Sequence, residues 1–281
     1  MPDAALPYRG RLAPTPTGEM HLGHARTFHA AWQRARDAGG AVVLRIEDLD
    51  PLRCKAEWAR LALEDLEWMG LDWDEGPFYQ SQRRATFVDA WRRLRDAGVL
   101  YPSAVSRREL RDAAHAPHED EEVEPIFPPG LRTPVEAAHA YDAPTGIAWR
   151  FRVPDGEVIR FTDVRRGPQA FTAGTDFGDF VAWRKDDVPA YELAVVADDV
   201  AMGITEVVRG EDLLLSTARQ LLIYRALGAT PPAWCHEPLV RDREGKRLAK
   251  RYASLSLRAL RARGLTFAEV RNRPVGDLLG A

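Results

Sequence analysis

Arg11-Leu12-Ala13-Pro14-Thr15-Pro16-Thr17-Gly18-Glu19-Met20-His21-Leu22-Gly23-His24 is the stretch on which the reading of the chain turns. A strand-like segment from Tyr8 to Ala13 runs into a turn of alternating prolines closed by Gly18, and the residues from Leu22 to Ala38 then suit a helix that Gly39-Gly40 ends. Next comes Ala41-Val42-Val43-Leu44-Arg45-Ile46, an apolar run bounded by glycines and acids, as expected of a buried parallel strand. Strand, helix, strand makes a βαβ unit. It puts His21-Leu22-Gly23-His24 at a helix N-terminus, where unpaired backbone N–H groups and the helix dipole favour phosphate. Two histidines three residues apart share one helix face, with ring N–H groups able to reach phosphate oxygens. Gly23 between them leaves room for a base or ribose against the backbone.

Working outward, helices are expected over Lys55 to Met69, where Trp58, Leu61, Ala62, Asp65, Leu66 and Met69 repeat at helical spacing with one polar exception, and over Arg84 to Ala97, with Phe87, Val88, Trp91 and Leu94 on one face. The character changes after Tyr101. From Asp112 to Pro144 the chain is rich in Ala, Pro, His and acid with little periodicity, as expected of a surface insertion. Strand-like segments return at Ile147 to Val153 and Glu157 to Val164. Pro189 to Val208 is a long apolar stretch, Leu214 to Leu227 a helix, and the tail from Ser254 mostly helical in pattern. A βαβ start and a later α/β half, separated by an insertion, fit a Rossmann-like parallel sheet with its site at the carboxyl ends of the strands.

Three further stretches carry chemistry. Leu44-Arg45-Ile46-Glu47-Asp48-Leu49-Asp50-Pro51 puts carboxylates at a strand's carboxyl end, suited to a substrate ammonium, while Asp48 and Asp50 turn the chain. Tyr191-Glu192-Leu193-Ala194-Val195-Val196-Ala197-Asp198-Asp199 continues through Gly203 to Leu213 and includes Arg209, whose planar fork matches a carboxylate in two parallel hydrogen bonds. The third is Lys246-Arg247-Leu248-Ala249-Lys250, whose bearing on phosphate comes only with the resemblance. Together with the opening stretch these motifs resemble the glutamyl and glutaminyl branch of the class I aminoacyl-tRNA synthetases: an R-x-A-P-T-P-T-G turn before a HIGH-type signature, an R-I-E-D-x-D strand end, the second-half signature around Tyr191 and Arg209, and a degenerate KMSKS-type loop in which Ala249 replaces the usual serine. The resemblance covers about residues 8 to 252.

The resemblance implies an α/β fold in which residues 1–100 are the first half of the nucleotide-binding domain, 101–185 an inserted subdomain, 186–240 the second half, and 241–281 the loop and helical tail. It implies ATP, held by His21, Gly23, His24, Arg247 and Lys250, with His21, His24 and Lys250 stabilising transition-state charge, and Mg2+ arriving with the ATP. It implies L-glutamate, held by Arg11, Ala13, Thr15, Glu47, Tyr191 and Arg209, the arginines selecting an acidic side chain. Some relatives carry zinc on cysteines just after the third helix; here that stretch reads Tyr101-Pro102-Ser103-Ala104-Val105-Ser106-Arg107, and His115 and His118 sit in an acidic, irregular context, so zinc is not expected. With roughly thirty residues after Lys250 in the sequence, no anticodon-binding domain is expected. The short branch of the family has this shape, and it implies a further partner: tRNA(Asp) carrying queuosine, glutamylated on that base rather than at its 3′ end. A truncated charger of tRNA 3′ ends and a non-catalytic binding paralogue are the alternatives.

Composition bounds these readings without deciding them. At 281 residues the chain can bury a sizeable core, and 45% apolar with 29% charged residues describes an ordinary soluble enzyme. No apolar run approaches the roughly 18 residues of a membrane span, and the N-terminus has neither a basic start nor an apolar core that would mark it for export. A cytoplasmic monomer is expected. Cys54 and Cys235 belong to no C-x-x-C pair and read as small buried residues. A net charge of −3 argues against coating nucleic acid by bulk electrostatics, yet arginine clusters at Arg92, Arg93 and Arg95, at Arg107, Arg108 and Arg111, at Arg165 and Arg166, and at Arg258, Arg261 and Arg263 are each either phosphate contacts or solvated helix faces.

Overall fold

The computed structural model describes residues 7–105, 109–110, 126–240, 255–273 and 275–279. In chain order these form β1 Arg9–Leu12, α1 Leu22–Asp37, β2 Ala41–Ile46, α2 Ala56–Trp68, β3 Glu75–Tyr79, α3 Arg84–Asp96, β4 Leu100–Ser103, β5 Ala148–Phe151, β6 Val158–Asp163 and β7 Gly167–Thr172. There follow β8 Phe180–Trp183, α4 Tyr191–Ala201, β9 Glu206–Gly210, α5 Leu214–Ala226, β10 Ala233–Glu237 and the short helices α6 Leu257–Ala262, α7 Phe267–Asn272 and α8 Val275–Leu279. The chain divides into two units: Met1–Gln82, Gly203–Leu213 and Pro232–Ala281 form one, Arg83–Met202 and Leu214–Pro231 the other. No helix among the described residues is long and apolar enough to cross a membrane.

In the first unit β1, β2 and β3 run parallel in that order, and β9 pairs in parallel with β10. Gly39, at φ +61°, takes the left-handed conformation that reverses the chain after α1 and delivers it into β2. Leu12, Leu44, Ile46 and Val208 from the strands, Leu22 and Leu66 from α1 and α2, and Leu257, Leu260 and Val270 from the tail share one buried core, which is why the strands read as continuous apolar runs. The β1–β3 sheet and the β9–β10 pair meet where the Thr205 amide donates to the Arg9 carbonyl at 2.9 Å and the Arg9 amide donates to Thr205 Oγ1 at 2.8 Å. Beside that junction the buried Glu206 carboxylate accepts from Arg34 Nε and Nη2 of α1 at 2.5 and 2.8 Å and from the Tyr8 hydroxyl at 2.7 Å. Burial and the Glu206 carboxylate together hold the Tyr8 phenol protonated far above its usual range.

The second unit is built on aromatic packing. Trp91 of α3 meets Trp149 of β5 edge-on at 4.9 Å, and β4, β5 and β8 form an antiparallel sheet. Asp179, buried just before β8, accepts from the Tyr101 hydroxyl at 2.6 Å, from Arg132 Nε at 2.7 Å and from the Val153 amide at 2.9 Å. A β6–β7 hairpin turns at Val164 to Arg166, where Asp163 accepts from two backbone amides.

The expected α/β architecture with a parallel sheet is present, and the long helices lie within a residue or two of their expected bounds. The apolar stretch from Pro189 to Val208 resolves into α4 and β9. Short strands β3, β4, β7, β8 and β10 carry no clear alternation, and Pro77, Pro102 and Pro168 sit inside three of them, so pattern alone does not announce them. Cys235 is buried as expected, whereas Cys54 is only half-buried. Several clustered arginines have structural work: Arg95 lies over the Trp91 ring at 5.1 Å, Arg93 donates to the Leu227 carbonyl at 2.5 Å, Arg258 pairs with Glu64, and Arg263 donates to the Leu278 carbonyl at 2.7 Å. Arg107, Arg108, Arg111, His115 and His118 lie outside the described residues.

Two stability outcomes follow. Replacing Glu206 by Gln weakens charge-assisted bonds from Arg34 in a buried setting and should cost about 2 kcal/mol, read as a lower denaturant midpoint. Asp65 on α2 is buried, neither of its oxygens meets a donor, and burial pushes its carboxyl up to about 6 against the opposing pull of Arg258. Its folded pKa therefore lies above the unfolded value near 3.9, so the folded state keeps a proton that the unfolded chain releases. Stability then falls as pH rises from about 4 to about 6 and stays reduced above. Asp65→Asn should accordingly stabilise the protein by on the order of 2 kcal/mol at pH 7.5, with the gain disappearing toward pH 4.

Candidate active site

The carboxyl ends of the parallel strands gather most of the expected residues in the first unit. Ala13 follows β1, Glu47 follows β2, and Arg209 is the fourth residue of β9. The Glu47 amide donates to the Pro14 carbonyl at 3.0 Å, which holds the end of β2 against the proline turn. The Glu47 carboxylate is oriented from two sides: Oε1 accepts from Arg45 Nη2 at 3.0 Å, and Oε2 faces the Thr15 hydroxyl at 3.4 Å. Arg45 is fully buried. It was not among the expected site residues, and its one signal in the sequence is a lone charge inside the apolar run of β2, which must be paired if it is to be buried. Asp48 does more than turn the chain, since its carboxylate accepts from the amide and hydroxyl of Ser81 at 2.9 and 2.7 Å. Asp50 does turn it, accepting from the Leu52 amide at 3.1 Å.

Arg11 and Arg209 are both buried. Arg11 extends from β1 so that Nη1 donates to the Val208 carbonyl at 3.0 Å, which brings it to the backbone unit that precedes Arg209. Arg209 is held on three sides: Nε donates to His236 Nε2 at 3.1 Å, Nη2 donates to the Leu213 carbonyl at 3.3 Å, and the guanidinium carbon lies 4.7 Å from the centroid of the Trp234 ring. His236 and Trp234 escaped the sequence reading because β10 was not recognised as a strand. Tyr191, half-exposed at 40%, opens α4 in the second unit.

The histidine pair is a cap. His21 is the N-cap of α1, and its Nδ1 accepts from the Gly23 amide at 3.1 Å. His24 Nδ1 accepts from the His21 amide at 3.2 Å, completing a reciprocal box of the kind usually built from Ser and Glu. The rings stack 3.9 Å apart at 29°. With both Nδ1 atoms accepting backbone protons, each ring in its neutral form carries its hydrogen on Nε2. Gly23 also has a structural reason: a Cβ there would lie 2.9 Å from His21 Cε1 and 3.1 Å from Nδ1, so glycine is needed for the His21 ring to fold back over the first turn. The tail also returns here, because the Leu257 amide donates to the Met20 carbonyl at 2.8 Å and Ser256 bridges to His21. Lys246, Arg247 and Lys250 lie outside the described residues. At neutral pH, nitrogen NMR should report His21 and His24 as Nε2–H tautomers, and Gly23→Ala should abolish that signature for His21 while costing about 1 kcal/mol of stability through the lost cap.

Among the described residues no group of three or more His, Cys, Asp or Glu side chains is placed to hold a metal ion. Comparison with known proteins places this arrangement. A protein named glutamyl-Q tRNA(Asp) synthetase from Nitratidesulfovibrio vulgaris is 47% identical over 93% of this chain and 83% of its own length. One of the same name from Symbiobacterium thermophilum is 48% identical over 91% of this chain and 81% of its own. The crystal structure of a glutamate tRNA ligase from Elizabethkingia meningosepticum in complex with its amino acid superposes with a TM-score of 0.74 at 29% identity, covering 87% of this chain and 52% of that one, so the chain spans about half of that ligase. Residues 8–269 match the family described as tRNA synthetases class I (E and Q), catalytic domain, and the chain belongs to that family of ligases.

Proposed function

We propose that this protein activates L-glutamate with ATP and transfers it to queuosine at the wobble position of tRNA(Asp), working as a cytoplasmic monomer. The observation that carries the reading is the pair of buried arginines, Arg11 and Arg209, on strands of the same unit whose ends also carry Glu47 and the capped histidine pair. Guanidinium forks suit the side-chain carboxylate of glutamate and leave a neutral carboxamide poorly matched. Glu47, with its oxygens oriented by Arg45 and Thr15, suits the α-ammonium; Ala13 supplies the small wall beside it and Tyr191 a hydroxyl and a flat face.

An oxygen of the glutamate α-carboxylate attacks the α-phosphorus of ATP, the bond to the β,γ-diphosphate breaks, and pyrophosphate leaves. His21 and His24 donate from Nε2 to phosphate oxygens as charge builds there, at the positive end of α1, with Gly23 keeping the His21 ring in place. Lys250, with Arg247, neutralises the departing phosphates. Magnesium enters as the companion of ATP. In the second step a hydroxyl of the queuosine cyclopentene-diol attacks the acyl carbon and AMP leaves. No protein nucleophile is required; positioning and charge stabilisation supply the catalysis. The names of the Nitratidesulfovibrio and Symbiobacterium relatives support the queuosine acceptor, whereas the likeness to part of a glutamate tRNA ligase keeps a second acceptor, the tRNA 3′ end, in contention.

Glutamate-dependent exchange of pyrophosphate into ATP should proceed without tRNA, and exchange that requires tRNA would count against the assignment. Arg209→Ala should raise the KM for glutamate by about 100-fold or more and leave the KM for ATP nearly unchanged. Labelled glutamate should become attached to queuosine-modified but not to unmodified tRNA(Asp), with the label mapping to the wobble nucleotide; a label at the 3′ end would establish the other acceptor.

A further inference from the structure

We propose that His236 is the positioning residue that sets selectivity for glutamate, acting through Arg209; this rests on the reading of Arg209 as receptor of the glutamate side chain. The parallel register of β9 and β10 places His236 directly beside Arg209 and Trp234 beside Val207, and the two-residue period of a strand puts Trp234 and His236 on one face. That face is dry: His236 is fully buried, with Trp234 and Arg209 nearly so. The Trp234 and His236 rings are nearly parallel, their centroids 6.4 Å apart and their planes inclined by 17°.

Arginine is a long, rotamer-rich side chain, and a bidentate grip on a carboxylate demands that its plane be fixed. Here the imidazole takes the Nε hydrogen, the Leu213 carbonyl takes one from Nη2, and the indole covers a face of the guanidinium. Because His236 Nε2 accepts, its ring is neutral with the hydrogen on Nδ1. The choice of imidazole has a consequence for charge. A buried Asp or Glu in the same place would hold Arg209 as firmly, yet it would neutralise the positive charge meant for the ligand and leave the incoming carboxylate with little electrostatic gain. A neutral acceptor orients the guanidinium without adding a negative charge beside it. A misaligned Arg209 donates one bond in place of two, which narrows the margin by which a carboxylate is preferred to a carboxamide, so orientation adds to charge in separating glutamate from glutamine.

Pyrophosphate exchange with glutamate, with glutamine and with varied ATP, on wild type and three variants, tests this. His236→Leu removes the acceptor and should raise the KM for glutamate by about 10- to 100-fold, reduce the preference for glutamate over glutamine by a similar factor, and leave the KM for ATP and the kcat at saturating glutamate within about threefold. His236→Gln, whose amide oxygen reaches the position of Nε2, should recover glutamate binding to within about fivefold of wild type. His236→Glu supplies an acceptor with a charge and should remain as impaired as His236→Leu. A His236→Leu KM for glutamate within twofold of wild type, or a His236→Gln variant no better than His236→Glu, overturns the proposal. If His236→Leu does not fold, judged by loss of thermal protection by ATP, the contrast between Gln and Glu decides alone. Absence of glutamate-dependent exchange in the wild type would remove the activation reading and this proposal together, whereas a normal wild type with indifferent variants removes only the role of His236.

Discussion

The union of β1 with β9 is the constraint from which the rest of the first unit follows. Arg9 and Thr205 stand 196 positions apart, yet each donates to or accepts from the other, and the carboxylate of Glu206 draws in Tyr8 and Arg34 beside them. Closing so long a loop carries an entropic cost that grows only slowly with length, and a buried, fully engaged carboxylate together with the shared apolar core offsets it. Without that closure Arg11 and Arg209 belong to distant segments. With it, Arg11 reaches the carbonyl that precedes Arg209.

The same economy governs the helix that follows the proline turn. A helix N-terminus must have its amides satisfied, and serine or aspartate is the usual means. Here two histidines satisfy them, and in doing so commit their Nδ1 atoms, determine which nitrogen carries the hydrogen, and stack the rings. A structural duty thereby sets the chemical state of two groups at the positive end of a dipole. Gly23 is tied to the same device, since any side chain there would collide with the His21 ring.

Buried charge elsewhere among the described residues is for the most part paired, and Asp65 departs from that. Arg45 is paired with Glu47, Asp179 is surrounded by Tyr101, Arg132 and the Val153 amide, and Arg83 pairs with the buried Asp198. Each is a case of desolvation repaid by directed hydrogen bonds. The Asp65 oxygens meet no donor and its carboxyl is displaced toward the neutral form. Many arginines that a basic pattern would assign to phosphate are occupied in similar ways, as when Arg95 covers Trp91 and Arg93 closes the end of a helix at Leu227.

The amino-acid sequence by itself determined the βαβ opening, the positions of the long helices, the placement of His21 and His24 at a helix start, and the family, because these depend on local periodicity, turn chemistry and contiguous motifs. It did not disclose Arg45 as the partner of Glu47, the collision that requires Gly23, or the service of His236 and Trp234 to Arg209. Those depend on strand register and on which segments distant in the chain become neighbours. A hydrogen bond between Arg209 and a residue 27 positions further along has no local signature; it exists only because β9 and β10 align with Arg209 opposite His236, and alignment between strands is decided by the packed core rather than by either strand alone.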